Sequence, residues 1–205
     1  MWGVAFSPGG KLLASGGGDG TVRLWNPATR RLVRVLQTGT GPFTGVQALA
    51  FSPDGTLLAA GCGDGTVRLW NPATGRLVKT LHASTSSVYG VHALAFSPDG
   101  KLLATGVADA TVRAWNPATG RPIGAPLLTG SGPADALDVL AFSPDGKQLA
   151  GGNPLAGGSF DGTVLLWQTS LFAHTYAQLC ADAGPPTPHE WNHYTSGEPR
   201  PKACA

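Results

Sequence analysis

A fixed internal repeat is the feature that most limits how this chain can fold. The tetrapeptide AFSP begins at Ala5, Ala50, Ala95 and Ala141, at spacings of 45, 45 and 46 residues. A tryptophan follows each copy, at Trp25, Trp70, Trp115 and Trp167, and the wider last spacing reflects an insertion at residues 151–159. Self-similarity at this period is typical of proteins that stack one structural unit. We therefore expect a row of four similar units.

Each unit is predicted to contain four short strands. In the second unit the turn signals are PDG, DG and NPATG, in which Pro presets φ and Gly tolerates a positive φ. The strands between them are predicted at residues 46–51, 57–62, 66–70 and 77–81. The inner strands are apolar almost without interruption, which is typical of sheets covered on both faces. The units are therefore expected to pack face to face.

Composition excludes several classes of function. The 205 residues include 30 Gly and 17 Pro, which suits tight turns and short strands. The 14 basic residues nearly balance the 12 acidic ones, for a formal net charge of +2, so we expect no nucleic-acid or membrane-surface partner. No apolar run approaches the roughly 18 residues of a membrane span, and residues 1–10 lack an export signal.

Cysteine usage favours a reducing compartment. Three cysteines are too few for a disulfide framework, and Cys62 lies in an apolar strand where we expect a small buried side chain. We predict a soluble cytoplasmic chain without a cofactor.

The repeated unit resembles the WD repeat, whose four-stranded units are the blades of a β-propeller. The resemblance rests on the period, the Asp-Gly turn and the tryptophan near the end of the third strand. It implies an all-β propeller portion of four blades within residues 1–169, at about 2–45, 46–90, 91–136 and 137–169. A short helical tail is expected at residues 170–205.

Two family features differ in this chain. The Gly-His before the first strand is missing, and Trp-Asp is replaced by Trp-Asn three times and by Trp-Gln once. In the family, the histidine joins the turn aspartate and the tryptophan in a buried polar network. Without it, we expect the turn aspartates to cap their own turns: Asp19, Asp64, Asp109 and Asp161.

The strand count raises a question of ring closure. The chain opens at the first strand of one blade and leaves the fourth blade after its third strand, so that blade lacks its outer strand and the total is fifteen. In similar proteins both chain ends usually build the last blade, which this order does not permit. Exposed blade faces and edges require cover. We therefore expect either a piece of a longer protein with earlier blades, or a homodimer that closes a larger ring.

The tail at residues 170–205 differs in character from the repeats. Apolar residues near helical spacing predict one helix over the segment LFAHTYAQLCAD, and Thr187, Pro188 and Glu190 form a capping box for a second. The tail resembles the C-terminal end of bacterial WD-repeat signalling proteins. The matching residues are Cys180, Thr187, Glu190, Trp191, Tyr194, Gly197, Glu198 and Cys204.

That resemblance implies an association with a STAND-type NTPase or a kinase whose catalytic part lies elsewhere. Cys180 and Cys204 are compatible with a disulfide or with free thiols, and a reducing cytosol favours the free thiols.

One segment of the tail suggests an enzyme as an alternative. Residues 189–193 fit H-E-x-x-H, in which His189 and His193 would bind zinc and Glu190 would act as a base. A zinc hydrolase needs this motif on a long helix with a third ligand, whereas Pro186 and Gly197 bracket a short one. No Ser-His-Asp order or paired carboxylate recurs elsewhere. We therefore predict no metal and no enzymatic activity.

Candidate binding residues follow from the family resemblance. In similar propellers, the loops that enter the first strands and the aspartate turns often form a protein-docking surface. The residues four positions before each repeated Phe are Trp2, Gln47, His92 and Asp138, with Tyr89 and Phe160 close by. The alternative is that these are ordinary solvated loop residues. We predict a non-catalytic protein-interaction scaffold or sensor, or else an independent homodimerising scaffold.

Overall fold

The protein forms four antiparallel β-sheets in a row. The computed structural model describes residues 1–39, 41, 43–84, 90–129, 137–152 and 164–173, without the side chains of 171 and 173. Within these residues there are fifteen strands and one helical turn. Strand order in each sheet follows chain order, so every sheet is a meander. The prediction of an all-β fold built from propeller blades is confirmed, and the sheets are called blades 1 to 4.

Blades 1 to 3 contain four strands each. Blade 1 comprises β1 (Gly3–Phe6), β2 (Leu13–Gly16), β3 (Thr21–Asn26) and β4 (Arg31–Gln37). Blade 2 comprises β5 (Val46–Phe51), β6 (Leu58–Cys62), β7 (Thr66–Asn71) and β8 (Arg76–His82). Blade 3 comprises β9 (Val91–Phe96), β10 (Leu103–Val107), β11 (Thr111–Asn116) and β12 (Arg121–Leu128).

Blade 4 has three strands in the described part of the chain. These are β13 (Val139–Phe142), β14 (Gln148–Gly152) and β15 (Val164–Gln168). The helical turn α1 (Ser170–Ala173) follows β15 and contacts β12 of blade 3. Phe172 is 2% exposed and belongs to the core between blades 3 and 4. The rest of the predicted tail, from residue 174 onward, lies outside the described residues.

Repeated side-chain hydrogen bonds close the first hairpin of blades 2 to 4. Ser52 Oγ accepts a hydrogen bond from the Leu57 amide at 2.9 Å and donates one to Asp54 Oδ1 at 2.6 Å. Gly55, with φ of 71°, occupies the left-handed position of this turn. The same bonds recur at Ser97 with Asp99 and at Ser143 with Asp145. These local contacts begin each second strand in the same register.

The hydrophobic core lies between the blades. Each blade has a tryptophan face, which in blade 2 carries Leu49, Phe51, Leu58 and Trp70 and packs on blade 1. Its opposite, valine face carries Ala59, Val67, Leu69 and Leu81 and packs on blade 3. The same pairing joins blades 3 and 4. Each interface therefore sets the larger side chains of one blade against the smaller ones of the blade before it.

Glycines at the ends of the second strands allow this close packing. A Cβ atom on Gly61 would lie 2.8 Å from both Cγ1 and the carbonyl oxygen of Val91, the first residue of blade 3. A Cβ on Gly16 would overlap the side chain of Val46 in the same way. These positions require glycine because the next blade crosses there, not because of their backbone angles.

The outward faces of the two end blades are uncovered among the described residues. Val4 and Phe6 of blade 1 are 57% and 62% exposed, whereas the equivalent Leu49 and Phe51 pack against a neighbouring blade. Val164 and Leu166 of blade 4 are 65% and 64% exposed. The described part of the chain is therefore an open row of blades and not a closed ring. None of its helices is long and apolar enough to cross a bilayer.

Candidate functional site

Four residues at equivalent positions form a row along one rim of the blades. They stand just before or at the start of the innermost strands and are Trp2, Gln47, His92 and Asp138. We call this set the rim row. The first three each contact the following blade or the loop that leads into it, so the row has one member on each of the four blades.

Trp2 is the most exposed member of the rim row. A Cβ on Gly18 would lie 3.0 Å from Cη2 of the indole, and one on Gly45 would lie 2.8 Å from its Cζ3. The indole therefore lies against Gly18 and Gly45, with 63% of the residue exposed. Phe43, close by in sequence to Gly45, is also largely exposed. This end of the row presents two aromatic side chains to solvent.

Gln47 is half-buried, in contrast to Trp2. Its side chain fills the space above Gly63 and Gly90, where a Cβ on Gly90 would overlap its Oε1 atom. Oε1 is buried and has no hydrogen-bond partner among the described residues. Gln47 therefore acts chiefly as a spacer between blades 2 and 3.

His92 and Asp138 form a polar contact between blades 3 and 4. Nδ1 of His92 lies 2.9 Å from Oδ1 of Asp138, and about a third of each side chain is exposed. The pair is ionic only when the histidine is protonated. The sequence placed both residues on the rim, but not this contact across 46 residues.

The other candidates lie outside the described residues. These are Tyr89, Phe160, Asp161, Cys180, His189, His193 and Cys204. Among the residues that are described, no group of three or more His, Cys, Asp or Glu side chains could hold a metal ion.

The turn aspartates bind their own turns and the arginine that follows on the third strand. In blade 2, Asp64 Oδ1 accepts hydrogen bonds from the amide and the hydroxyl of Thr66 at 3.1 and 2.6 Å. Its Oδ2 accepts a bond from Nη2 of Arg68 at 2.9 Å, and Nη1 of Arg68 donates to the Thr66 hydroxyl at 2.7 Å. Carboxylate, hydroxyl and guanidinium thus form a closed triangle.

The distance and the exposure of the aspartate–arginine pair differ between blades. In blade 1, Asp19 and Arg23 are 2.8 Å apart but their side chains are 49% and 39% exposed. In blade 2 the exposures of Asp64 and Arg68 are only 18% and 15%. In blade 3, Asp109 lies 3.8 Å from Arg113, whose Nε is buried without a partner among the described residues.

The pKa values of these groups follow their surroundings. Burial alone would raise the pKa of Asp64, but hydrogen bonds from Arg68 and Thr66 outweigh it and hold the pKa below its ordinary value. Burial also opposes the charge of Arg68, and its hydrogen bond to Asp64 raises its pKa nevertheless. The pKa of Asp19 is lowered mainly by hydrogen bonds from Arg23 and Thr21. Each carboxylate is therefore a structural anion.

Three of the repeat tryptophans, Trp70, Trp115 and Trp167, pack between blades, whereas Trp25 lies on the outward face of blade 1. Two of the four use a hydroxyl as partner. Nε1 of Trp25 donates to Ser15 Oγ at 2.9 Å, and Nε1 of Trp115 donates to Thr105 Oγ1 at 3.1 Å. Trp70 is 2% exposed and Trp167 packs against the core between blades 3 and 4. A hydroxyl residue ten positions before the tryptophan is the sequence signal for this contact.

Cys62 has the environment of an inert thiol. The residue is fully buried on β6, and burial raises its pKa to about 11. A thiol with so high a pKa is a poor nucleophile at neutral pH. The structure thus places no activated cysteine nucleophile at this position.

Comparison with protein-family models identifies one match. The model described as WD40, WD domain, G-beta repeat, matches residues 1–26, 32–71, 75–116 and 124–168. The second match begins within β4 of blade 1 and ends at the last residue of β7 in blade 2. Each of the last three matches thus joins the outer strand of one blade to the three inner strands of the next. No curated protein shows significant similarity to the chain.

Proposed function

Because the chain belongs to the WD-repeat family, whose repeats generally mediate protein–protein interactions, we propose that its rim row docks a partner protein. The observation that carries the proposal is the placement of one row member on each of four blades, with exposed aromatic side chains at one end and the His92–Asp138 pair at the other. The chain has no catalytic role in this proposal.

The chemistry of the row defines the partner segment. Aromatic side chains on a rigid base are typical anchors of protein interfaces, and Trp2 lies on the backbone of two glycines. Asp138 keeps part of its carboxylate exposed beside His92. We therefore propose an extended partner segment with a large apolar side chain for Trp2 and Phe43, and a hydrogen-bond donor for Asp138.

Peptide selection tests this proposal. Peptides are selected from a random library on the immobilised wild-type chain, and their dissociation constants are then measured for variants. We expect Trp2→Ala and Asp138→Ala to weaken binding by roughly tenfold or more. Lys101→Ala is the matched control, because Lys101 is exposed at the opposite end of β9 from His92. Selected peptides that bind the Trp2→Ala chain as tightly as wild type would refute docking at the rim.

The cellular context belongs to the same proposal. The tail residues that resemble bacterial signalling proteins support a role as the C-terminal sensor of such a protein, and the three cysteines support a cytoplasmic location. An antibody raised against residues 187–204 tests this in cells. Detection of a polypeptide much larger than 20.9 kDa is expected, and a cellular product of the size of this chain would argue against it.

A second candidate function is an independent scaffold that homodimerises. The specific observation in its favour is the exposure of apolar side chains on the outward faces of blades 1 and 4.

A further inference from the structure

We infer that a second copy of this chain covers both exposed end faces, in a head-to-tail arrangement that closes a ring of eight blades. The valine face of blade 4 in each copy would pack on the tryptophan face of blade 1 in the other. This inference rests on the second candidate function, in which no further blades of the same polypeptide adjoin blade 1, and it uses no rim contact, so it fails or stands independently of peptide docking.

The first argument is that the two end faces are the two halves of an interface already present three times. The exposed face of blade 1 carries Val4, Phe6, Leu13 and Trp25, which are equivalent to Leu49, Phe51, Leu58 and Trp70 of blade 2. Blade 1 covers that set in blade 2. The exposed face of blade 4 carries Val164 and Leu166, equivalent to Val67 and Leu69, which blade 3 covers completely. The end face of blade 1 is therefore equivalent to one half of an internal interface, and the end face of blade 4 is equivalent to the other half.

The second argument concerns shape and favours head-to-tail over face-to-same-face pairing. In the internal interfaces the bulky tryptophan face meets a face of Ala, Val and Leu without aromatic side chains, such as Ala14, Val22 and Leu24 in the cluster that contains Trp70. Two copies of the blade 1 face would set Phe6 and Trp25 against their own equivalents, and not against the alanines and valines that a valine face offers. Blade 4 offers Ala150 and Val164 at the receiving positions. Close packing requires such size complementarity.

The third argument concerns the number of copies. A head-to-tail interface generates either a closed ring or an open filament. Two copies supply eight blades, and propellers of about four to eight blades are known. A third copy would exceed that range. Because a ring of two copies covers both exposed apolar faces and stays within the known range of blade numbers, closure at two copies is favoured.

Light scattering on a sizing column, over a range of concentrations, measures the mass of the wild-type chain and of two end-face variants. Phe6→Asp damages the tryptophan face of blade 1, and Leu166→Asp damages the valine face of blade 4. Both residues are more than half exposed, so neither substitution disturbs a formed core. Val78→Asp is the control, because Val78 is 46% exposed on the outer strand of an internal blade. Circular dichroism confirms the fold of each variant.

We expect the wild type and Val78→Asp to form dimers of about twice 20.9 kDa. Phe6→Asp and Leu166→Asp should each shift the dimerisation constant roughly tenfold or more toward monomer. An equimolar mixture of the two should regain dimers, because one undamaged interface forms between them.

Three results would overturn the inference. A monomeric wild type would show that a second copy does not cover the faces. Assemblies of indefinite length would show that the contact does not close at two copies. A dimer that survives either single substitution at full affinity, or a mixture that stays monomeric, would contradict head-to-tail pairing.

Discussion

The Asp64–Arg68 pair provides the sharpest test of what stabilises each blade internally, since blade 1 contains the same residue pair with greater solvent exposure. Replacing Asp64 with Ala removes the acceptor of two Thr66 bonds and of the Arg68 guanidinium. With side-chain exposures of 18% and 15% for the pair, water replaces these contacts poorly. Hydrogen bonds to charged groups contribute about 1.5 to 3 kcal/mol, so we expect the free energy of unfolding to fall by about 2 kcal/mol.

A double-mutant cycle separates the pair from its surroundings. Asp64→Ala, Arg68→Ala and the double variant are unfolded with urea at one fixed protein concentration, followed by tryptophan fluorescence. We expect a coupling energy of about 1 kcal/mol or more, because the two side chains are in direct contact. The matched cycle with Asp19 and Arg23 should show weaker coupling, since that pair is largely exposed. Equal coupling in the two blades would refute the argument that burial sets the strength of the aspartate–arginine pair.

The pH dependence of the free energy of unfolding provides an independent test of the role of Asp64. The pKa of Asp64 is lower in the folded chain than its ordinary value, so the unfolded chain binds this proton more readily than the folded one. Its contribution to stability is therefore complete above the unfolded pKa of about 3.9, and is lost as pH falls through the lower folded pKa. Asp64→Asn should make stability less dependent on pH below about 4. An unchanged pH dependence would contradict the assigned role of the carboxylate.

Three further predictions concern backbone and burial. Arg30→Gly should raise the free energy of unfolding by about 0.5 to 1 kcal/mol, because the exposed Arg30 holds φ at 57° where blades 2 and 3 have glycine. Arg30→Ala should show no such gain in urea unfolding. Gly61→Ala should cost about 1 to 3 kcal/mol through overlap with the next blade, whereas Gly9→Ala, with open space around it, should not be destabilising by this overlap. In a chain whose other two cysteines are replaced by serine, Cys62 should react with a thiol reagent at pH 8 only after unfolding, because it is buried and its pKa is raised to about 11; rapid reaction of the native chain would contradict this.

Local chemistry explains why so much of the fold was predictable from the sequence. Each strand is delimited by a turn whose residues act within a few positions, as Ser52 and Asp54 do around Gly55. The repeat itself supplies a further check, because Gly75 and its equivalent in blade 3 predict the left-handed backbone that Arg30 adopts. Turns and strand limits that depend only on residues of one unit could therefore be predicted from the sequence of that unit.

Contacts between units could not be predicted in the same way. Gly61 was predicted only as part of the strand at residues 57–62, yet it also marks the crossing of the next blade. Gln47 was grouped with the exposed rim, but it is wedged above Gly63 and Gly90. His92 and Asp138 meet only because two blades stack. Each of these contacts depends on how one blade is positioned relative to the next, which the sequence of a single unit does not encode.

Comparison of the units with one another also distinguishes packing from recognition. The third strands of blades 1 and 2 share the sequence TVRLWN, since both must present the same face, with Val22 or Val67, to the blade that follows. The rim row, by contrast, has an indole, an amide, an imidazole and a carboxylate at equivalent positions. Blade stacking imposes no single side chain there, so these positions are free to match the features of a partner. An exchange of Trp2 for Gln should therefore leave the blades intact and change only what the rim binds, whereas the same exchange at Trp70 should disrupt the interface with blade 1.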